Sequence, residues 1–163
     1  MSGPSAPPGG ASAMQLRPGG PVRDSVIWSS GTSYGLYFTG FSSATLRAEA
    51  RNVSVVTTAA GSSALRMNLP NVGDPTAYVG RVRNSNFRGV TKDLDVVGAG
   101  NQDLQIGTSD FRAAFSPLNA DVIDLGGNIE GAPQLFDQSG GDLHQFPASP
   151  TVDTEDSTFP PSQ

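Results

Sequence analysis

Closely spaced acidic residues are the first groups in this sequence whose type and spacing could do chemistry. Asp93 and Asp95 lie two positions apart, and Asp121 and Asp124 lie three apart. Residues i and i+2 of a β-strand point to the same face, and glycoside hydrolysis needs two carboxyl groups about 5 to 10 Å apart. Asp93 and Asp95 are therefore candidate catalytic residues, set against the simpler interpretation that they are solvated residues of a strand face.

The one histidine, His144, is a weaker catalytic candidate than the paired aspartates. Asp142 lies two residues before it and Ser149 five residues after it, whereas a nucleophile–base pair needs a hydroxyl beside the imidazole and an acid to orient it. The absence of cysteine removes thiolate nucleophiles and zinc–thiolate sites. Calcium-loop and phosphate-loop motifs are also missing from the sequence. We interpret His144 as structural and expect no metal and no cofactor.

Aromatic residues are concentrated near the start of the chain, where five of them lie between positions 28 and 41. Trp28, Tyr34 and Tyr37 are candidate ligand-binding residues, because an exposed aromatic ring presents a large apolar face against which a sugar ring can stack. The alternative is that these residues form a bulky plug that covers one end of the fold.

Charge and hydropathy exclude several kinds of partner. The net charge is −5, and residues 113–163 contain eight acidic residues and no basic residue. The arginines are scattered singly, so we expect no nucleic-acid partner, which would need clustered cations. Apolar runs of about three or four residues predict no membrane span. The N-terminal residues lack a basic start followed by an apolar stretch, and we expect no secretory signal within this chain.

The elements that must position these residues are short β-strands. The 20 glycines and 13 prolines among 163 residues argue against long helices. Residues 1–22 are rich in proline, glycine, alanine and serine and are predicted to be a flexible lead, and residues 147–163 an acidic, proline-rich tail. Between them, residues 23–146 are predicted to form one β domain, because short runs of apolar and β-branched residues alternate with turn residues.

An internal repeat indicates how the strands are arranged. Residues 50–55 read ARNVSV and residues 82–87 read VRNSNF, 32 positions later; residues 106–111 form a weaker third copy after 24 more. Residues 64–67, 93–97 and 121–125 look like matching downstream halves. Such a period predicts a right-handed parallel β-helix of about three to four coils, whose neighbouring coils share one core. Alternation along its strands predicts that the apolar residues Val82, Phe87, Leu94, Val96 and Ile106 face inward and that Arg83, Lys92, Asp95 and Gln105 face outward. The alternative is a β-sandwich whose strands resemble each other by chance.

The C-terminal part resembles a known family. Residues 127–137 read GNIEGAPQLFD, residues 141–145 GDLHQ and residues 148–153 ASPTVD. This order is similar to the closing segment of secreted bacterial right-handed β-helix proteins with a pectate-lyase-like fold, although alanine stands at position 148 where glycine is usual. The segment VRNSNFRG at 82–89 resembles their coils too. The resemblance covers residues 44 to 153 and implies a C-terminal capping strip, part of a longer solenoid, and an extracellular or cell-surface location.

Three functions remain open from the sequence. The first is a non-catalytic structural or carbohydrate-contacting module of a secreted or surface β-helix protein. The second is a polysaccharide lyase or hydrolase fragment that uses Asp93 and Asp95 with nearby arginines such as Arg66, Arg81 and Arg83. The third is a viral accessory protein, of the capsid-decorating or tail type. The expected partners are a polysaccharide, or another protein bound through the tails.

Overall fold

In a computed structural model of the chain, the described residues are 10–17, 19–39, 47–69, 78–98, 102–112, 114–115, 120–130, 134–145 and 147. They form thirteen β-strands and no helix, so the predicted all-β class is confirmed. One sheet contains β1 (Ser12–Leu16), β3 (Tyr34–Phe38), β5 (Ser63–Leu69), β8 (Lys92–Gly98) and β10 (Ala114–Phe115). The other contains β2 (Pro21–Ser29), β4 (Ala48–Thr57), β6 (Tyr78–Arg83), β7 (Asn86–Arg88), β9 (Gln102–Gly107) and β11 (Ala120–Asp124). A hairpin of β12 (Leu135–Asp137) and β13 (Asp142–Gln145) follows.

The chain alternates between the two large sheets. The order in the first sheet is β1-β3-β5-β8-β10, and in the second β11-β9-β6-β4-β2, with β7 also paired to β4. Every pairing within these sheets is parallel. We call one strand of the first sheet, together with the strand or strands of the second sheet that follow it, a layer. The described residues form five layers, whereas three to four coils were predicted. Parallel pairing also differs from the antiparallel strands of β-sandwiches.

The strand register confirms most of the sequence repeat. Ala50 pairs with Val82, and Val82 pairs with Ile106, which reproduces both repeat spacings. Leu65 pairs with Leu94, as the downstream halves predicted. The third downstream half was assigned wrongly: residues 120–124 pair with β9 in the second sheet, while β10 takes the place beside β8. Alternating apolar residues look alike in both sheets, so the pattern alone did not identify the sheet.

One core lies between the two sheets. The residues predicted to face inward are all fully buried, namely Val82, Phe87, Leu94, Val96 and Ile106. Alternation places Arg83, Lys92 and Gln105 outward and partly exposed, as predicted. Asp95 was expected to be solvated as well, but it is only 2% exposed because Arg66 and Lys92 cover its carboxylate.

The second sheet bends at the same position in every layer. The residues at the bend have positive φ: Asp24 (48°), Asn52 (53°), Asn84 (47°), Thr108 (49°) and Gly126 (92°). Four of these five residues have a Cβ atom. Asparagine and aspartate tolerate this left-handed region better than other residues with a Cβ atom. The Asn52 amide also donates a hydrogen bond of 2.7 Å to the Asp24 carboxylate in the preceding layer.

One predicted boundary differs from the structure. Residues 1–22 were predicted to be a flexible lead, yet Ser12–Leu16 form β1, which pairs with β3, and β2 begins at Pro21. Leu16 packs against the core, which is apolar burial that the composition did not reveal. Of the predicted tail, residues 148–163 lie outside the described residues.

Candidate functional site

The two predicted catalytic carboxylates belong to different ion networks. Asp95, in β8, accepts hydrogen bonds from Arg66 of the neighbouring β5 and from Lys92, both at 2.7 Å. Asp93 is bonded instead by Arg88 and Arg112. Both carboxylates are almost fully buried, so neither is presented to a groove.

Asp93 receives hydrogen bonds from five donors. The Gly89 backbone N–H donates at 2.9 Å, and the Arg88 guanidinium donates at 3.2 Å. The backbone N–H, Nε and Nη2 of Arg112 donate at 2.6, 3.1 and 2.7 Å. A carboxylate accepts about four such bonds comfortably, so this one has no lone pair left for a substrate. Asp93 therefore ties the turn after β7 to the segment after β9.

Asp110 is the second carboxylate of this network. Its Oδ1 accepts a hydrogen bond of 2.5 Å from Arg88, which bridges Asp110 and Asp93. Burial raises the pKa of Asp110, and the bond from Arg88 offsets only part of this effect. Burial also raises the pKa of Asp93, but the bonds from Arg112 and Gly89 outweigh it and lower that pKa overall. Asp93 is thus held ionised and saturated, which suits neither a general acid nor a nucleophile.

A small cavity of about 270 Å³ lies beside this network. Its lining consists of Thr57, Thr58, Arg88, Gly89, Val90, Arg112 and Gln138. The Arg112 side chain is 50% exposed while Asp93 holds its guanidinium in place. The cavity therefore presents hydroxyl, amide and guanidinium groups, and its volume is close to the lower end of small-molecule sites, about 300 Å³.

The β12–β13 hairpin completes the cavity and is anchored by Trp28. The indole N–H of Trp28 donates a hydrogen bond of 3.0 Å to the backbone carbonyl of Gln138. Gly141, with a φ of 85°, lies so close that a Cβ atom there would be 3.3 Å from the Trp28 ring. These contacts place the hairpin against β2 of the first layer. The start of the predicted capping strip lies elsewhere, because Asn128 bonds the Ile106 carbonyl and the Ile129 N–H bonds the Ser109 carbonyl. The fold-back is long-range, and the sequence pattern did not specify its partner.

The three predicted aromatic ligands do not form one patch. Trp28 lies in the second sheet and holds the hairpin, whereas Tyr34 and Tyr37 lie in β3 of the first sheet. The ring centres of Tyr34 and Tyr37 are 5.5 Å apart, and the Arg66 guanidinium lies 4.7 Å from the centre of the Tyr34 ring. One face of Tyr34 is thus already occupied by a cation.

His144 and Asp142 form a contact pair on the hairpin. His144 Nδ1 lies 2.6 Å from the Asp142 carboxylate, and its side chain is 88% exposed. This hydrogen bond lowers the pKa of Asp142. The nearby Ser139 hydroxyl bonds Asp137 instead of the imidazole. Among the described residues, no group of three histidine or acidic side chains could hold a metal ion.

Sequence reasoning missed most of the cavity. Arg88 lies 22 residues before Asp110, so no short motif links it to Asp110 and Arg112, and Gln138 reaches the cavity only through the fold-back of the hairpin. The arginines that the sequence analysis described as scattered are also closer together in the structure than the sequence indicated. Arg23, Arg51 and Arg83 are stacked by the strand register in one column, and the repeated Arg-Asn dipeptide was the signal that could have shown this.

The fold and site define an all-β protein of layered parallel strands, with a buried arginine–aspartate network beside a small polar cavity. Comparisons of the chain with protein families, with curated proteins and with solved structures find no match. Within the described residues there is no helix long and apolar enough to cross a membrane.

Proposed function

We propose that this chain is a short right-handed parallel β-helix that acts as a non-catalytic, carbohydrate-contacting module of a secreted or cell-surface protein. The regular alternation between two parallel sheets supports a β-helix, because one coil of such a helix contributes one strand to each sheet. The hairpin that resembles the family's closing strip is then a lateral cover over the first layers.

The observation that carries the contact role is the cavity beside Asp93. Arg112 is fixed by its bonds to Asp93 and is half exposed to the cavity, so little conformational entropy is lost when it binds a ligand. The Thr58 side chain and the hairpin residue Gln138 line the same space. Fixed donors and acceptors around a small cavity suit a hydroxyl-rich ligand such as one sugar unit of a glycan.

Saturation of the carboxylates favours binding over catalysis. Glycoside hydrolysis needs one protonated and one free carboxyl group that face the scissile bond. Asp93 is buried under five donors, and Asp95 is covered by Arg66 and Lys92. Neither residue lines the cavity. The lyase or hydrolase alternative would therefore require a different pair of groups.

A glycan array followed by calorimetry tests the proposal. We expect a neutral or weakly charged glycan to bind, and Thr58→Val to weaken its Kd about three- to tenfold through the loss of one hydrogen bond. Thr91→Val is the matched control. Like Thr58, Thr91 lies next to the end of a strand and donates its backbone N–H to the preceding layer, but it lies outside the cavity. Absence of any glycan binding, or equal effects of the two variants, would contradict the contact role.

Reducing-sugar and unsaturated-uronate assays on the same glycans separate the module from an enzyme. We expect no turnover. Turnover by the wild-type chain that is lost in Asp95→Asn would overturn the non-catalytic assignment, because Asp95 would then act on a substrate despite its two cationic partners.

A further inference from the structure

The outer surface of the second sheet, before its bend, concentrates positive charge. Burial alternates along the strands there: Ala48 and Ala50 are fully buried, while Glu49 and Arg51 are partly exposed. The same alternation places the outward side chains of β2 and β6 on this surface. The arginines on it, which we call the basic face, are Arg23, Arg47, Arg51, Arg81 and Arg83. They are half of the chain's ten basic residues, although the net charge is −5.

Strand register brings these arginines together. Arg23 pairs with Arg51, and Arg51 pairs with Arg83, so three guanidinium-bearing side chains follow one another at the strand spacing of about 4.8 Å. Arg81 pairs with Glu49 in the neighbouring column. Glu49 lies 4.0 Å from Arg23, and both side chains are about half exposed, at 43% and 51%. A weak, solvated ion pair of this kind neutralises little charge. With Asp103 of β9, which pairs in register with Val79, the face holds five arginines and two acids and is net positive.

We propose that the basic face binds a linear sulfated polysaccharide. Guanidinium groups are planar donors that match the oxygens of sulfate, and their column repeats regularly across the strands. Glu49 and Val79 stand among the arginines, and Pro21 of β2 and Asp103 and Gln105 of β9 face outward beside them. Gln105 accepts a hydrogen bond of 3.0 Å from Arg81. None of these side chains is an aromatic platform of the kind that single-stranded nucleic acids use. An α-helix or a two-stranded ribbon protrudes far enough to enter the major groove of DNA, whereas the strands within a sheet surface do not. The inference rests on the proposed glycan-contacting function and assigns it a second surface, separate from the cavity.

The energetics of the face favour such a ligand. Like charges placed side by side on adjacent strands destabilise a sheet, and a bound polyanion replaces that repulsion with attraction. Because a ligand that binds only the folded state stabilises it, the polysaccharide raises Tm. High salt removes the effect, since exposed charges are screened.

Dextran sulfate is the probe, with neutral dextran of equal length as its counterpart. Dextran sulfate is expected to bind and to raise Tm at about 50 mM salt, and neutral dextran to do neither at this face. Arg23→Gln combined with Arg47→Gln tests two exposed arginines whose loss leaves the core untouched. Each change is expected to weaken the Kd about fivefold, the order of one charge–charge interaction in water. Arg17→Gln is the matched control, an exposed arginine of the same layer that precedes β2.

Three results would overturn the inference: no binding of dextran sulfate at low salt, an equal loss of affinity in the Arg17→Gln control, or equally tight binding of single-stranded or duplex DNA of the same charge. The last result would assign the face to nucleic acid. Failure of this inference is distinguishable from failure of the proposed function. Binding at the cavity is tested with neutral glycans and Thr58→Val, whereas binding at the basic face is tested with dextran sulfate and the arginine variants.

Discussion

Replacement of Asp93 by asparagine tests whether the buried arginine–aspartate network stabilises the fold. The change keeps the side-chain shape but removes the charge that Arg88 and Arg112 share. It also replaces one acceptor oxygen by an NH₂ group, which then faces N–H donors. Arg88 retains Asp110 as a partner, whereas Arg112 loses the anion that fixes its guanidinium.

The magnitude follows from the burial of the network. Asp93 and Asp110 are 1% and Arg88 is 4% exposed, so water compensates little of the loss. Removal of one partner from a buried ion pair costs about 3–5 kcal/mol, against a total stability of about 5–15 kcal/mol for a domain. We therefore expect Asp93→Asn to lower the free energy of unfolding by about 3–5 kcal/mol.

Urea titration followed by far-UV circular dichroism measures this difference, with Asp95→Asn as the control. Asp95 is equally buried, but neither of its partners, Arg66 and Lys92, is buried as Arg88 is, so we expect a loss of only about 1 kcal/mol. A loss below about 1 kcal/mol in Asp93→Asn, or losses that are equal in the two variants, would refute the reasoning from burial.

The pH dependence of the free energy of unfolding provides a second test of the role of Asp93. The pKa of Asp93 is lower in the folded chain than its ordinary value of 3.8. The stability that its ionised form contributes is therefore fully present above that ordinary value and is lost as the pH falls through the folded pKa. The gap between wild type and Asp93→Asn should stay constant from pH 7 to about 5 and shrink below about pH 4. A gap that widens as the solution becomes more acidic would show that the sign is wrong.

Two further predictions concern the bend and the hairpin. Asn84→Ala should lower the free energy of unfolding in urea by about 1–2 kcal/mol because of its positive φ, and Asn84→Gly should cost less; the reverse order would contradict a left-handed requirement. Trp28→Phe removes the hydrogen bond to Gln138, so limited proteolysis should cut the hairpin sooner while circular dichroism is unchanged. With Tyr37→Phe as the control, unchanged cleavage in Trp28→Phe would show that the indole is not the anchor.

The fold was predictable where residues repeat. The internal repeat aligned Ala50 with Val82 and Val82 with Ile106, because stacked parallel strands put equivalent residues side by side. The prediction failed where the repeat was weakest, at residues 121–125, which belong to the second sheet. The candidate site was less predictable: of the buried network only Asp93 was named in advance, and its role changed from a catalytic candidate to the centre of the network.

The sequence by itself determined the strand content, the inward-facing residues and most of the register, since these follow from local alternation and from a repeat that each layer copies. Only the tertiary structure decided which charges meet. Arg88, Asp93, Asp110 and Arg112 converge because turns from different layers lie side by side. The hairpin reaches Trp28 across more than a hundred residues for the same reason. Contacts between distant parts of a chain depend on how its layers stack, and no local pattern records them.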